Sequence, residues 1–405
     1  MELVTLYDYY GRQNIAPTFA DLRDEAAVVA YQAARARLLG ERLALPIPLF
    51  RGAEILEFGP DTGENAVVFA RWGAHMTLVE PAEAAHPRIR AYFDCFAPPA
   101  ALRELAAADV LSYVANRRFD MIVAEGFIYT VQPSALWLEA FARALVPGGL
   151  ALISYIERTA SLFELLLRVP FAALRRRDGA DRVSAAERLY RRKWDRIPHT
   201  RAFASWVMDV LDNPFMRLRY FIDAEQLART AAAHNFDIHS SWPSYRDGLE
   251  NVWAKRPATA EQTLERTCAH LRRSVLTFVL GTKAYLADDE STVWLAGLVD
   301  AALADIDALI DADDAVRSLR LATTLRELAA AARDSHAIID GPGALDAGAA
   351  LLHAWADVNG LLAGGRLDAA IARLNEDVVL LEGWGAPTHL AVLRAGSWIA
   401  TKGND

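Results

Sequence analysis

Only two of the 405 residues are cysteine. Cys95 and Cys268 stand far apart with no metal-ligand spacing around them, so neither a disulfide framework nor a thiolate metal site is expected, and a reducing cytoplasm is the simplest home. No metal is therefore expected. The chain opens without a basic-then-apolar segment, and its most apolar runs are broken by charges such as Glu164 and Arg168, which argues against export and against membrane spanning. Positive charge is also short, with 43 Lys and Arg against 52 Asp and Glu and a net charge of −9. A general nucleic-acid binder is thereby disfavoured. His75, His199 and His239 have no partner spacing and read as surface or strand-end residues. What the chain does have is length and apolar mass: 405 residues and 53% hydrophobic content suffice for two or three domains with sizeable cores.

The most informative stretch runs from Ile55 to Asn65, an apolar strand pattern that turns through Gly59 and Gly63 into a helical pattern. A strand that stops, turns tightly and starts a helix needs glycine where a side chain would block a ligand or where φ is positive. Twenty-one positions after Gly59, Glu80 closes a second apolar run, Met76 to Val79. There an acidic side chain can accept hydrogen bonds from both hydroxyls of a ribose. Glu57 sets the kind of nucleoside. An anion beside the glycine turn repels a pyrophosphate but suits a ligand carrying an ammonium and a sulfonium, such as S-adenosyl-L-methionine.

The string Glu57-x-Gly59-x-Asp61-x-Gly63 resembles motif I of the class I S-adenosylmethionine-dependent methyltransferases, usually acidic-x-Gly-x-Gly-x-Gly. Asp61 takes the middle glycine position, and Asp tolerates left-handed backbone better than most residues. Later stretches continue the resemblance in order. Ala108 to Leu111 is similar to the segment whose acid faces the adenine amino group, here Asp109 with Val110 beside it. Phe119 to Gly126 resembles the fourth strand, apolar on both sides as parallel strands must be. Leu145 to Ser154 carries Pro147-Gly148-Gly149, similar to the family's turn from helix into fifth strand. Phe236 to Trp242 and Asn251 to Lys255 look like the sixth and seventh strands, the closing antiparallel pair.

The resemblance implies an α/β fold with a Rossmann-like, seven-stranded, mostly parallel sheet over residues 51–257. It also implies a cofactor site built from Glu57, Gly59, Asp61, Gly63, Glu80, Asp109, Val110 and Glu125. Residues 1–50 would form a helical lid, with the Tyr7 to Tyr10 cluster, Tyr9 included, covering cofactor or substrate. Positions after the fourth and fifth strands overlook the methyl group in this architecture. Glu125 is the candidate base and Tyr129 the candidate acceptor-positioning group, although a carboxylate at 125 could equally hold the cofactor's ammonium. Tyr155 and Glu157 follow the fifth strand as candidate substrate residues. No Asn-Pro-Pro-Tyr string is present, which weighs against the adenine- and glutamine-modifying relatives.

Two further regions carry composition rather than motif. Between Arg168 and Arg201 there are eleven Arg or Lys and four Asp or Glu, within an insertion of about 156–222. Such a run is either a solvated helix face or a surface on which Arg175 and Arg176 attract an anionic substrate. Residues 258–405 are rich in Ala, Leu and Asp in helical patterns, an all-α domain whose role could be homodimerisation, partner docking or a pocket wall. The function that follows is methyl transfer from S-adenosylmethionine to a small-molecule or carrier-borne, anionic acceptor. A non-catalytic binding or regulatory protein on the same fold is the alternative, and a protein-lysine methyltransferase a weaker third.

Overall fold

The computed structural model describes residues 5–13, 22–197, 202–246, 258–286, 288–334, 338–339, 343–376 and 387–396. The chain divides into two compact units, one of residues 1–155, 225–267 and 389–405, the other of 156–224 and 268–388.

The first unit is organised by a sheet whose strands are β1 (Glu54–Phe58), β2 (His75–Val79), β3 (Leu102–Ala106), β4 (Phe119–Ala124), β5 (Leu145–Ile156), β6 (Phe236–Trp242) and, after two short strands of the other unit, β9 (Thr388–Ala395). They lie in the order β3-β2-β1-β4-β5-β9-β6. The first five pair in parallel, and β6 pairs antiparallel with β9. β1 and β4 are buried along nearly their whole length, as strands covered on both faces require. Chain order reverses between β1 and β4, so a crevice opens there beyond the strands' carboxyl ends, where open α/β sheets take their ligands.

Helix Glu25–Arg37 begins at Asp24, whose side chain accepts from the Ala27 N–H at 2.8 Å. It packs on helix Glu64–Arg71, pinned by Tyr31 Oη to Asn65 at 2.6 Å and by Arg71 to Glu25 and to Gln32. Beneath them Phe50, Phe69 and Trp72 stack with centroids 5.1–5.9 Å apart, part of a core that includes Ile55, Met76, Leu78 and Val123.

Two expectations change. Pro147-Gly148-Gly149 is not a turn ahead of β5 but an irregularity inside it: Phe119 pairs with Leu145 and Met121 with Leu150, so the intervening residues bulge. Gly149 is required there, because a Cβ would stand 2.9 Å from the Val146 carbonyl oxygen and 3.1 Å from that of Asp120. The strand expected over 251–255 lies outside the described residues. The strand antiparallel to β6 is instead β9, from the far end of the helical region.

In the second unit, helix Leu162–Asp178 packs against helix Asp289–Asp311, and helices Ala315–Asp334 and Ala344–Ala363 pack on each other. A two-residue ladder joins β7 (Ala284–Tyr285) to β8 (Ile338–Ile339). The arginine-rich insertion thus belongs with the later helices. The match is electrostatic as well as apolar: Arg217 forks onto Asp307 and Asp311, with bonds of 2.7 Å to each. Arg158 reaches Asp300 at 3.0 Å. No helix among the described residues is long and apolar enough to cross a membrane.

Candidate functional site

Register brings the site together. Phe58 pairs with Val79 on one side and Ala124 on the other, so the residues that follow, Gly59, Glu80 and Glu125, leave their strands at one level. The chain after β1 turns through left-handed backbone at Gly59 (φ 62°), Asp61 (φ 52°) and Gly63 (φ 94°). Asp61 thus adopts the conformation for which the usual motif supplies glycine. The turn is fastened from β2, because the Glu80 carboxylate accepts from the Asp61 N–H at 3.1 Å and from the Ala82 N–H at 2.8 Å. At the start of the following helix, Thr62 Oγ1 donates to Glu64, and Arg88 stands 3.5 Å from the same carboxylate.

Carboxylates outnumber cations here. Burial, reinforced by Glu125, raises Glu57 to about 8, with Arg35 opposing the shift. Burial likewise raises Glu64 to about 7 and, with Asp61 adding repulsion, Glu80 to about 7. Glu57 Oε2 is buried with no hydrogen-bond partner among the described residues. Such an acceptor is costly unless a ligand donates to it.

Glu125 is engaged. Arg35 grips it with both terminal nitrogens, at 2.9 and 2.6 Å, and is itself only 6% exposed. Sequence reasoning missed Arg35, which lies 90 positions away in a helix read for its apolar period alone. Next to Glu125, the Gly126 N–H donates to Ser154 Oγ at 2.7 Å and ties β4 to β5.

The remaining candidates separate. Asp109 is exposed and closes its own turn, accepting from the N–H groups of Leu111 and Ser112 at 2.8 Å, while Val110 is buried. Of the N-terminal tyrosines it is Tyr7, not Tyr9, that meets the glycine turn. Its ring packs on Phe127 at 5.6 Å, and its hydroxyl is 2.9 Å from where a Cβ on Gly59 would sit. Burial first, then Glu80, Asp109 and Asp61, push its phenol well above the usual range. Tyr9 is buried against Tyr10. Tyr129 is buried in the turn Ile128–Thr130. Tyr155 is buried too, in a hydroxyl contact with Tyr245, which in turn meets His389 Nδ1 at 2.6 Å. Glu157 belongs to the second unit, where it accepts from the Ala160 N–H at 2.7 Å and the Ala224 N–H at 3.4 Å, and burial raises it to about 8. Arg175 and Arg176 are also in that unit, paired with Asp212 and Asp313.

A family model described as a methyltransferase domain matches residues 29–241, more than half of the chain. The chain belongs to that family. With the sheet order and the left-handed glycine turn, the match defines the class as the S-adenosylmethionine-dependent methyltransferases of class I. Among solved structures, the chain is similar to PKMT2 from Rickettsia typhi at 16% identity and a TM-score of 0.41, covering 60% of this chain and 50% of that one. It is similar to the glycopeptide N-methyltransferase MtfA complexed with S-adenosyl-L-methionine at 21% identity and a TM-score of 0.25, covering 27% of this chain and 50% of that one. For the N-methyltransferase NodS from Bradyrhizobium japonicum WM9, in complex with S-adenosyl-L-homocysteine, the values are 16% and 0.29, covering 38% of this chain and 74% of that one. The chain thus spans half the length of the first two. No curated protein matches the sequence.

Proposed function

We propose that this chain binds S-adenosylmethionine in the crevice between β1 and β4 and transfers its methyl group to a small-molecule or carrier-borne acceptor. One observation carries the reading: the crevice gathers Glu57, Asp61, Glu64, Glu80 and Glu125, and among the described residues the Glu57 oxygen without a hydrogen-bond partner has Arg35 as its neighbouring cation, which Glu125 already claims. Such a site suits a cation and disfavours a diphosphate.

When bound, the cofactor supplies a methyl group on a sulfonium, whose departure leaves a neutral thioether. The chain's own residues would then have three tasks. Glu57 would accept from the ammonium, Glu80 would accept from the ribose while still holding the Asp61 N–H, and Phe127 with Tyr7 would keep water from the turn. Both oxygens of Glu125 are taken by Arg35. The proposed part of Glu125 is to fix the crevice wall, so that positioning rather than base catalysis carries the transfer.

Calorimetry on the full chain tests this. Saturable binding of S-adenosylmethionine and its demethylated product, weakened in Glu57→Gln, supports the reading; absence of any heat with the native chain rejects it. The packing of Tyr7 against Gly59 favours one second reading, a binding protein whose crevice its own N-terminal helix fills. That reading gains if the product binds only after Tyr7→Ala.

A further inference from the structure

Most of the arginine-rich insertion has acids of its own. Arg176 donates to Asp313 at 2.5 Å and to the carbonyl oxygens of Ile310 and Leu309 at 2.8 and 3.1 Å. Arg217 holds Asp307 and Asp311, while Arg175 and Arg182 share the single carboxylate of Asp212.

Arg168 differs: Asp212, Asp307 and Glu164 act on it through space, but none of them forms an ion pair with it among the described residues. It is 5% exposed, its Nη1 donates to the Met216 carbonyl oxygen, and its Nε has no hydrogen-bond partner among the described residues. Burial, and then the neighbouring Arg217, lowers it to about 10. The Nε of Arg175 is likewise buried and without a partner. A guanidinium taken out of water costs several kcal/mol unless an anion answers it, on the order seen for buried ions generally.

Both residues line a cavity of about 440 Å³ inside the second unit. Arg176 completes a lining of three guanidiniums against one carboxylate, that of Asp212, and Phe171, Leu211 and Ile310 supply apolar wall. The volume is that of a small-molecule site, and the combination of convergent cations with an apolar wall sets the ligand's character. We propose that this cavity binds an organic oxyanion, a carboxylate or phosphate monoester on an apolar body, with Arg168 and Arg175 taking the oxygens and Phe171, Leu211 and Ile310 the body. Every residue of the site belongs to the second unit, and its test uses no methyl donor.

Calorimetry on the full chain with phenyl phosphate, benzoate, inorganic phosphate and benzyl alcohol is the experiment. Saturable binding of phenyl phosphate or benzoate is expected, the stronger of the two identifying the oxyanion. Inorganic phosphate should bind more weakly and benzyl alcohol not at all. Arg168→Gln should weaken the organic anion about tenfold or more, the loss of a charge-assisted hydrogen bond. Because removing a buried cation can disturb its helix, Ala172→Phe is measured beside it; it narrows the cavity and keeps every charge, and should weaken binding by a similar factor. The proposal is overturned if neither organic anion saturates the native chain, if Ala172→Phe binds them unchanged, or if inorganic phosphate or benzyl alcohol binds as tightly as they do.

Discussion

Glu57 sits at the penultimate position of β1, where a side chain is normally apolar, and burial raises it to about 8, further than Glu64 or Glu80 at about 7. Replacing it by Gln removes a charged acceptor, so affinity for S-adenosylmethionine should fall roughly tenfold to a hundredfold. The ligand-free variant should melt higher than the native chain at pH 8, because a buried carboxylate no longer has to ionise there. Calorimetry and thermal melts report the two halves separately. The pH dependence has a definite sign. Glu57 titrates near 8 in the folded chain and near the ordinary carboxylate value of 4.5 when unfolded, so between those values the folded chain holds more protons. Stability of the ligand-free protein should therefore fall as pH rises from 5 towards 8. A cationic ligand favours the ionised carboxylates, so its affinity should rise from pH 6 to pH 8. A flat or inverted pH profile for binding would sink the assignment of Glu57. The placement of Glu57 and Glu80 at the ends of β1 and β2 was legible in the sequence because both stand beside a local turn signal. Arg35 was not, since nothing local marks a partner that only the packing of two helices brings to Glu125.

At the level of elements, the glycine turn is set by backbone conformation and by what presses on it. A Cβ at residue 59 would lie 2.8 Å from a Phe127 ring carbon, on a residue with φ of +62°. Gly59→Ala should then cost about 1–3 kcal/mol of stability and abolish detectable cofactor binding, since turn and ring must both shift. Denaturant melts at equal m-value measure the first, calorimetry the second. Strands β1, β2 and β4 were readable because each is a short apolar run ended by a breaker, whereas helix His86–Phe96 and β3, Leu-Arg-Glu-Leu-Ala, carry no such run and were not. The position of Pro147-Gly148-Gly149 inside β5 was not, because a bulge and a turn use the same residues. The tyrosine cluster gave its neighbourhood but not its member: Tyr7, which packs at Gly59, and Tyr9 stand two positions apart on one helical turn and so point to different sides of it.

For the whole molecule, the boundary suggested by composition near residue 258 does not separate sheet from helices, since β9 lies beyond it. Its apolar pattern is short and follows a long helical region, so no local feature ties it to β5 and β6. A fragment of residues 1–257 would leave the facing edges of β5 and β6 without the strand that sits between them. It should fail to give a cooperative melt or to bind S-adenosylmethionine, whereas the full chain should do both; a folded, ligand-binding fragment would refute this role for β9. The same arrangement orders events during synthesis. As the polypeptide leaves the ribosome, the nascent sheet must wait through the entire stretch from Trp242 to Thr388 for its missing member, so a prematurely terminated product is barred from maturing into a competent protein.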